Sequence, residues 1–248
     1  MRALLTALRC EKGATDANLA RHVDLLDAGA AAGARIVGFP EMSLTGSVDP
    51  EHWPGRAIGL DHDAVRKLTD ATARTGVAAR FGIAEAGGDA VFITQVLADR
   101  GRVVAQYRKR RLLDEDAYRA GAYPARLALD GAPIGIAICA ETGTDVACDD
   151  AARAGARVVF VCAAPGLYGR RTDEAEWRAG YEWWSGSVLT DCARHARRHG
   201  LWIAISSQAG ATADEDFPGL AALVAPTGAV VARTPDWHET SLVVELPD

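Results

Sequence analysis

Short apolar runs alternate with amphipathic stretches along the first half of the chain. Residues 3–8 and 35–39 have the composition of buried strands. Between them, apolar residues recur at spacings of three and four, which predicts a helix that Thr15 or Asp16 caps and Gly33 ends. This helix would have one apolar face, formed by Leu19, Val23, Leu26 and Ala30.

The same order of elements continues towards the middle of the chain. A second helical pattern covers residues 63–74 and leads into a predicted strand over 77–84. Predicted strands over 91–98 and 103–107 flank a short Asp-Arg-Gly turn, which is a hairpin signal. The first half is therefore predicted to run strand, helix, strand, helix, strand and hairpin.

Landmarks of the first half recur in the same order in the second half. Residues 33–37 match residues 155–159 in sequence. The hairpin segment 101–105 is echoed by residues 228–232. We interpret these matches as two related α/β halves, which predicts two sheets packed face to face with helices outside. No linker rich in Pro, Gly or Ser separates the halves, so residues 1–248 are predicted to form a single domain.

The composition is that of an ordinary folded protein. Hydrophobic residues make up 49% and charged residues 24% of the 248 residues, which excludes a wholly disordered chain. The net charge of −6 gives no reason to expect nucleic acid or an anionic membrane as a partner. No apolar run is long enough to span a bilayer, and the run after Arg2 is too short and polar for a secretory signal. We therefore expect a cytoplasmic protein.

The residues that commonly bind metals or cofactors do not form a recognisable motif. Five cysteines are an odd number without C-x-x-C spacing, which argues against a disulfide framework and a structural zinc site. Neither a dinucleotide nor a phosphate-binding glycine loop is found. His195 and His199 lie four residues apart on a predicted helix, but their neighbours are basic, so we favour a solvated helix end over a zinc site. No cofactor is predicted.

Three residues of complementary chemistry stand at the carboxyl ends of predicted strands. Glu41 follows the strand over 35–39, Lys109 follows the strand over 103–107, and Cys139 ends an apolar run. Strand ends of this kind display reacting groups in α/β sheets. A desolvated carboxylate can take the thiol proton, the thiolate is a nucleophile, and a fixed ammonium stabilises an oxyanion. Taken singly, each residue also fits a simpler interpretation, a core thiol for Cys139 and solvated side chains for the other two.

The sequence around each of these residues resembles a motif of the nitrilase superfamily of carbon–nitrogen hydrolases. The segments are Gly-Phe-Pro-Glu-Met-Ser-Leu-Thr-Gly at Glu41, Tyr-Arg-Lys-Arg-Arg-Leu at Lys109 and Ile-Gly-Ile-Ala-Ile-Cys at Cys139. Residues 205–210 also resemble a family segment, with Ser207 where asparagine is usual. The resemblance covers essentially the whole chain.

The resemblance implies an α/β fold, a four-layer αββα sandwich built from two related halves, and assembly as a homodimer or higher homo-oligomer. It also implies a cysteine-dependent hydrolase of C–N bonds other than peptide bonds, with Glu41 as base, Cys139 as nucleophile and Lys109 as a partner of the oxyanion. No cofactor is implied. Further residues are implied for binding of substrate or oxyanion, namely Ala140, Glu141, Ala164 and Pro165.

Two departures from the family pattern leave alternatives open. A second family carboxylate follows the lysine, and here one residue is missing from that segment. Glu115 aligns through its neighbours and Asp114 through its distance to Gly121; we predict Glu115, with a solvated acidic loop as the alternative. Ala140 stands where the family commonly has Trp or Tyr, so this position does not separate amidases from nitrilases.

The predicted function is a small-molecule amidase that releases ammonia and a carboxylic acid through a thioester. A nitrilase acting on a C≡N group and a catalytically silent binding or scaffold protein are the alternatives. Arg170 and Arg171 follow a loop that borders the pocket in this family, and they are candidates either for binding a substrate carboxylate or for facing solvent. An aromatic cluster is expected to pack in a core or a dimer interface, namely Trp177, Tyr181, Trp183 and Trp184.

Overall fold

The chain runs twice through the predicted order of strand, helix, strand, helix, strand and hairpin. The computed structural model describes residues 1–113, 117–122 and 127–247. The elements of the first half are β1 (Arg2–Leu8), α1 (Thr15–Ala31), β2 (Ile36–Gly38), α2 (Asp63–Thr75), β3 (Ala78–Gly87), β4 (Ala90–Asp99) and β5 (Arg102–Arg108).

The second half repeats this order after a short strand, inserts one turn and one extra strand, and ends with a further strand. The turn is a 3₁₀ helix at Cys139–Gly143, which we call the Cys139 turn. The elements are β6 (Ala128–Leu129), β7 (Ala132–Ile138), the Cys139 turn, α3 (Val146–Arg153), β8 (Val158–Ala163), α4 (Glu174–His199), β9 (Trp202–Ala211), β10 (Asp216–Pro218), β11 (Ala221–Val224), β12 (Val230–Arg233) and β13 (Thr240–Glu245).

Strands of the two halves pair in corresponding orders. The first half pairs in the order β5-β4-β3-β2-β1, and β13 adds to β1 in antiparallel register. The second half pairs in the order β12-β11-β9-β8-β7-β6. The end of β1 also pairs with β9, with Ala7 opposite Ser207 and Leu8 opposite Gln208. The duplication predicted from the sequence is therefore present in the topology.

Alternate residues of the central strands face two different cores, which defines four layers. In β1, Leu5 packs in a core shared by both sheets, whereas Leu4 packs on the side of α1 and α2. In β8, Phe160 packs in the shared core, whereas Val159 and Val161 pack on the side of α3 and α4. Strands buried on both faces are continuously apolar, which explains the short apolar runs of the sequence. The order helices, sheet, sheet, helices is the predicted αββα sandwich.

Local backbone chemistry explains one turn, and one predicted helix cap is corrected. The β4–β5 hairpin turns at Arg100-Gly101, whose φ angles of 48° and 80° give the positive φ pair that matches strand twist. The prediction that Thr15 or Asp16 caps α1 was wrong. The N-cap is Ala14, which has no side-chain acceptor, and both predicted residues lie in the first turn.

The structure gives all five cysteines as free thiols, and Cys139 is the one that is not fully buried. Within the described ranges, no helix has the length and apolar character needed to cross a bilayer. The residues of chemical interest lie where β2, β5, β7 and β8 end.

Candidate active site

Glu41 lies just beyond β2 and is 2% exposed. Its two carboxylate oxygens accept hydrogen bonds from two different parts of the chain. Nζ of Lys109 donates to Oε1 at 2.7 Å, and the backbone N–H of Ala164, just after β8, donates to Oε2 at 2.9 Å. Charge-assisted bonds of this kind are short and orient both partners. The carboxylate is therefore fixed against the ammonium.

Buried amide side chains hold the backbone on either side of the Glu41 peptide. Nε2 of Gln208 donates to the Glu41 carbonyl at 2.8 Å, and Nε2 of Gln95 donates to the Pro40 carbonyl at 3.1 Å. Oε1 of Gln95 in turn accepts from Nη1 of Arg80 at 2.8 Å. Both glutamines and Arg80 are fully buried, and sequence reasoning missed all three.

The rest of the Glu41 segment, which we define as residues 40–45, is fastened to β3. The hydroxyls of Ser43 and Thr45 accept from the backbone N–H groups of Gly82 and Ala84 at 3.1 and 2.9 Å. A Cβ at Gly82 would lie 2.2 Å from the backbone nitrogen of Met42, so this position requires glycine. The segment is held closely by the strand beside it.

Lys109 lies directly after β5 and is 5% exposed. Its backbone N–H donates to Ile93, and its carbonyl accepts from Gly121, each at 2.8 Å. Burial alone would lower the pKa of the Lys109 ammonium, but the negative charge of Glu41 and the influence of Cys139 outweigh burial and raise it. The side chain is thus a cation beside the carboxylate and the thiol.

Cys139 is the first residue of the Cys139 turn and has a φ of 45°, a left-handed value that non-glycine residues rarely adopt. Burial, and then the negative charge of Glu41, raise the pKa of its thiol to about 12, although Lys109 and the N–H of Ala164 act in the opposite direction. At neutral pH the sulfur therefore keeps its proton, close to a carboxylate that can accept it. The structure brings the triad of Glu41, Lys109 and Cys139 together, as the sequence predicted.

Glu141 joins the Cys139 turn to the end of β5. Its Oε2 accepts from the hydroxyl of Tyr107 at 2.9 Å and from the N–H of Ile138 at 2.8 Å, and its Oε1 accepts from the N–H of Arg110 at 2.8 Å. Burial raises the pKa of Glu141, although these backbone donors act against that shift. The sequence assigned Glu141 to the substrate site, and in the structure its carboxylate is engaged by the protein itself.

The other predicted binding residues lie in two places around the triad. Ala140 is the second residue of the Cys139 turn, a position at which a helical backbone N–H has no acceptor within the helix. Ala164 contacts Glu41, and Pro165 follows it as a buried residue. The second carboxylate, predicted at Glu115 with Asp114 as alternative, lies outside the described residues.

Arg170 has protein partners in the structure. Its Nη1 donates to Asp216 at 2.9 Å and its Nη2 donates to the carbonyl of Ala213. Arg171 donates from Nη2 to the carbonyl of Leu167 at 3.0 Å and through its backbone N–H to Asp216. These bonds shape the loop after β8, and they occupy groups that a substrate carboxylate would need.

The expectation of a solvated helix end at His195 was wrong. His195 is 1% exposed, and its Nε2 lies 2.8 Å from the carbonyl oxygen of Thr142 in the Cys139 turn. Helical spacing gives a signal for this burial, because Val188 and Cys192 of α4 lie on the same buried face. Across the described parts of the chain, no three His, Cys, Asp or Glu side chains converge as a metal site would require.

The aromatic cluster of α4 divides between core and surface. Tyr181 and Trp184 are buried against the outer face of the second sheet, with Trp177 packed beside them. Trp183 is 53% exposed.

Comparisons with known proteins agree with this architecture. A family model described as carbon-nitrogen hydrolase matches residues 5–248. An alanine variant of an amidase of the nitrilase superfamily from Nesterenkonia AN1 superposes with a TM-score of 0.84 at 24% identity, covering 100% of this chain and 91% of that chain. A double variant of that amidase in complex with acrylamide gives the same four values. The alanine variant in complex with butyramide gives a TM-score of 0.83 with the same identity and coverage.

Proposed function

The chain belongs to the carbon–nitrogen hydrolase family, and we propose that within this family it is an amidase that uses Cys139 as its nucleophile. The observation that carries the proposal is the grouping at the strand ends. A protonated thiol lies beside a carboxylate, and that carboxylate is bonded to an ammonium at 2.7 Å. A nucleophile, a base and an electrophilic partner of the oxyanion are thus within one buried site.

In the first step, the Cys139 sulfur attacks the carbonyl carbon of the amide while Glu41 takes the thiol proton. A C–S bond forms, and the electron pair of the C=O π bond moves to oxygen. Lys109 and the N–H of Ala140 stabilise the resulting oxyanion. Because the pKa of the thiol is raised to about 12, transfer of the proton to Glu41 accompanies the attack rather than preceding it.

In the second step, Glu41 returns the proton to the amide nitrogen as the C–N bond breaks and the oxyanion collapses. Ammonia leaves, and the acyl group remains on Cys139 as a thioester. Water then gives a proton to Glu41 and attacks the thioester carbon, so the carboxylic acid is released and the proton returns to the thiolate. No group beyond the protein and water enters this cycle.

The substrate class proposed is a small aliphatic amide. The support comes from the structural neighbours, since the Nesterenkonia amidase has been captured with acrylamide and with butyramide. Ala140 in place of a bulky ring leaves room beside the nucleophile. Nitriles of the same carbon skeleton are the alternative substrates, and they would pass through a thioimidate on the same sulfur.

A matched substrate panel tests the proposal. Purified protein is incubated with acetamide, acrylamide and butyramide, and with acetonitrile, acrylonitrile and butyronitrile, while ammonia release is measured. Release from the amides alone supports an amidase, and release from the nitriles alone overturns it in favour of a nitrilase. No release from either set, with Cys139→Ala giving the same background, overturns the enzymatic proposal.

We also propose that the protein is a homodimer. Val146 at the start of α3 and Trp183 on α4 are both 53% exposed, which leaves large apolar side chains on the outer helical layer. Light scattering on the eluting peak of a sizing column gives the mass directly. Twice the chain mass is expected, and the mass of one chain would overturn the proposal.

A further inference from the structure

The Cys139 turn is held from outside by the helix that covers it. His195 projects from α4 and is 1% exposed, and its Nε2 lies 2.8 Å from the carbonyl oxygen of Thr142. A carbonyl oxygen can only accept, so Nε2 carries the hydrogen of this bond. The buried imidazole therefore has a fixed tautomer and a fixed target on the turn.

A second hydrogen bond continues from Thr142 to the proposed nucleophile. The Thr142 hydroxyl donates to the carbonyl of Cys139 at 2.8 Å. His195 thus donates a hydrogen bond to the carbonyl of Thr142, and the hydroxyl of Thr142 donates one to the peptide group between Cys139 and Ala140. The peptide so held is the one whose N–H belongs to Ala140, the proposed oxyanion donor.

The backbone at this point needs such support. Cys139 has a φ of 45°, and a non-glycine residue held in this region costs conformational energy that the surroundings must offset. The turn is short, with five residues, and so has little internal hydrogen bonding of its own. Anchors from neighbouring elements are the means by which the conformation is maintained.

The two ring nitrogens of His195 have different surroundings. Nδ1 makes no hydrogen bond within the described residues, and Oδ1 of Asp145 lies 3.7 Å away. Asp145 forms ion pairs with Arg194 and Arg198, which lie on α4 together with His195. Nη2 of Arg194 is 3.1 Å from Nε2, but that nitrogen already bears a hydrogen, so the guanidinium finds no acceptor there.

We propose that His195 is a positioning residue: through Thr142 it holds the Cys139 turn so that the thiol faces the carbon, and the Ala140 N–H the oxygen, of the same substrate carbonyl. The inference rests on the proposed function for its kinetic consequence. Its structural consequence, the presentation of the thiol, does not require that the protein be an amidase.

Three variants of α4 test the proposal. His195→Phe keeps a ring of similar size without a donor, His195→Gln keeps an N–H donor of similar reach, and His199→Phe changes the histidine one turn later. The control is matched because His199 lies 2.9 Å from Asp149 and makes no described contact with the turn. Circular dichroism establishes that each variant is folded.

Two readouts separate this proposal from the proposed function. The first is kcat and KM for butyramide, and the second is the rate at which iodoacetamide alkylates Cys139, followed by mass spectrometry of that peptide. We expect His195→Phe to lower kcat and the alkylation rate about tenfold, the scale of one lost buried hydrogen bond, with KM nearly unchanged. His195→Gln should recover most of both rates, and His199→Phe should match the wild type.

The experiment tests the proposal whether or not the wild-type protein hydrolyses amides. If wild type turns over no amide, the alkylation rates alone decide, so failure of the proposed function is distinguishable from failure of this inference. A folded His195→Phe variant with wild-type alkylation and kcat overturns the proposal. If that variant does not fold, Thr142→Val removes only the second bond, and an unchanged alkylation rate in it overturns the proposal equally.

Discussion

The Glu41 segment and the Cys139 turn both follow parallel strands, and both contain a residue in the left-handed region, with φ values of 46° at Met42 and 45° at Cys139. Different parts of the molecule support the two segments. The Glu41 segment is held from inside by fully buried groups of three strands, as Gln95, Gln208 and the backbone of Gly82 show. The Cys139 turn is held through Glu141, one of its own residues, which is bonded to Tyr107 and Arg110 at the end of β5, and through His195, which reaches it from α4.

The difference matches the two chemical roles that we propose, a base at Glu41 and a nucleophile at Cys139. The general base proposed at Glu41 works best when its position and its surroundings do not change, and a dry, fully bonded interior provides that. The nucleophile proposed at Cys139 must reach substrate, which fits a turn that is partly exposed and relies on a few anchors. We therefore expect changes behind Glu41 to cost stability as well as activity, and changes around Cys139 to cost activity first.

The largest effect is expected at Cys139. Cys139→Ala should abolish amide turnover with little loss of folding, because the thiol contributes little packing relative to a methyl group. Intact-mass spectrometry with a slow amide should show an acyl adduct on the wild type and none on the variant. An adduct mapped instead to Cys148, Cys162 or Cys192 would remove Cys139 from the mechanism.

The next largest effects are expected at Lys109 and Glu41. Lys109→Met and Glu41→Gln should each lower kcat by at least about 10²-fold, the scale of losing one oxyanion donor. Because the charge of Glu41 raises the pKa of the thiol, Glu41→Gln should also shift the pH profile of Cys139 alkylation to lower pH while turnover is lost. Retention of more than about a tenth of wild-type kcat in either variant would contradict the triad.

The second carboxylate is expected to matter next. The described residues that follow it lie at the site, since the hydroxyl of Tyr118 lies 3.7 Å from the sulfur of Met42 and Gly121 donates to the carbonyl of Lys109. Glu115→Gln should lower kcat strongly with little change in thermal midpoint, and Asp114→Asn should be nearly silent. The reverse ranking would move the role to Asp114, and two silent variants would leave a three-residue site.

Changes to the buried side chains that support the Glu41 segment should lower the free energy of unfolding. Gln95→Leu removes the acceptor for Nη1 of Arg80, a fully buried guanidinium whose Nε and Nη2 make no hydrogen bond to any described residue. A buried charged donor left without its acceptor costs about 3 kcal/mol or more, so urea unfolding should show a loss of that order. Adding Arg80→Leu should restore most of it. Additive losses in the double variant would show that the two side chains do not act together.

The smallest effect is a pH dependence of stability at His22. This buried ring donates from Nδ1 to the Asn18 carbonyl and accepts at Nε2 from the hydroxyl of Ser43, which belongs to the Glu41 segment. Burial lowers the pKa of His22 from 6.5 to about 4. Between these values the unfolded chain binds a proton that the folded chain does not, so stability falls as pH decreases through that window, by about 3 kcal/mol in total.

The measurement for His22 is the slope of unfolding free energy against pH. His22→Gln should flatten the slope between pH 6.5 and 4 relative to wild type. Equal slopes in the two proteins would mean that His22 titrates alike in both states.

The sequence was sufficient for those parts of the site that sit next to a strand end. Glu41, Lys109 and Cys139 were predicted because each combines a strand-end position with a recognisable motif. Gln95 and Arg80 were not predicted, because their importance arises when distant strands come together and their local patterns are ordinary. Gln208 lies in the segment 205–210 that resembles the family, but the sequence predicted no role for its side chain. His195 was misinterpreted because basic neighbours dominate the end of α4, although its helical spacing places it on the buried face.

The pairing of the first strand with the last has a consequence for synthesis on the ribosome. β1 pairs with β13 along Arg2–Ala7, and the amino group of Met1 donates to the carbonyl of Leu246 at 2.7 Å. One edge of β1 therefore stays open until β13 has emerged, on the order of tens of seconds after β1 at ordinary elongation rates. A message truncated before β13 would yield a chain with an exposed strand edge, prone to aggregation, rather than a smaller enzyme.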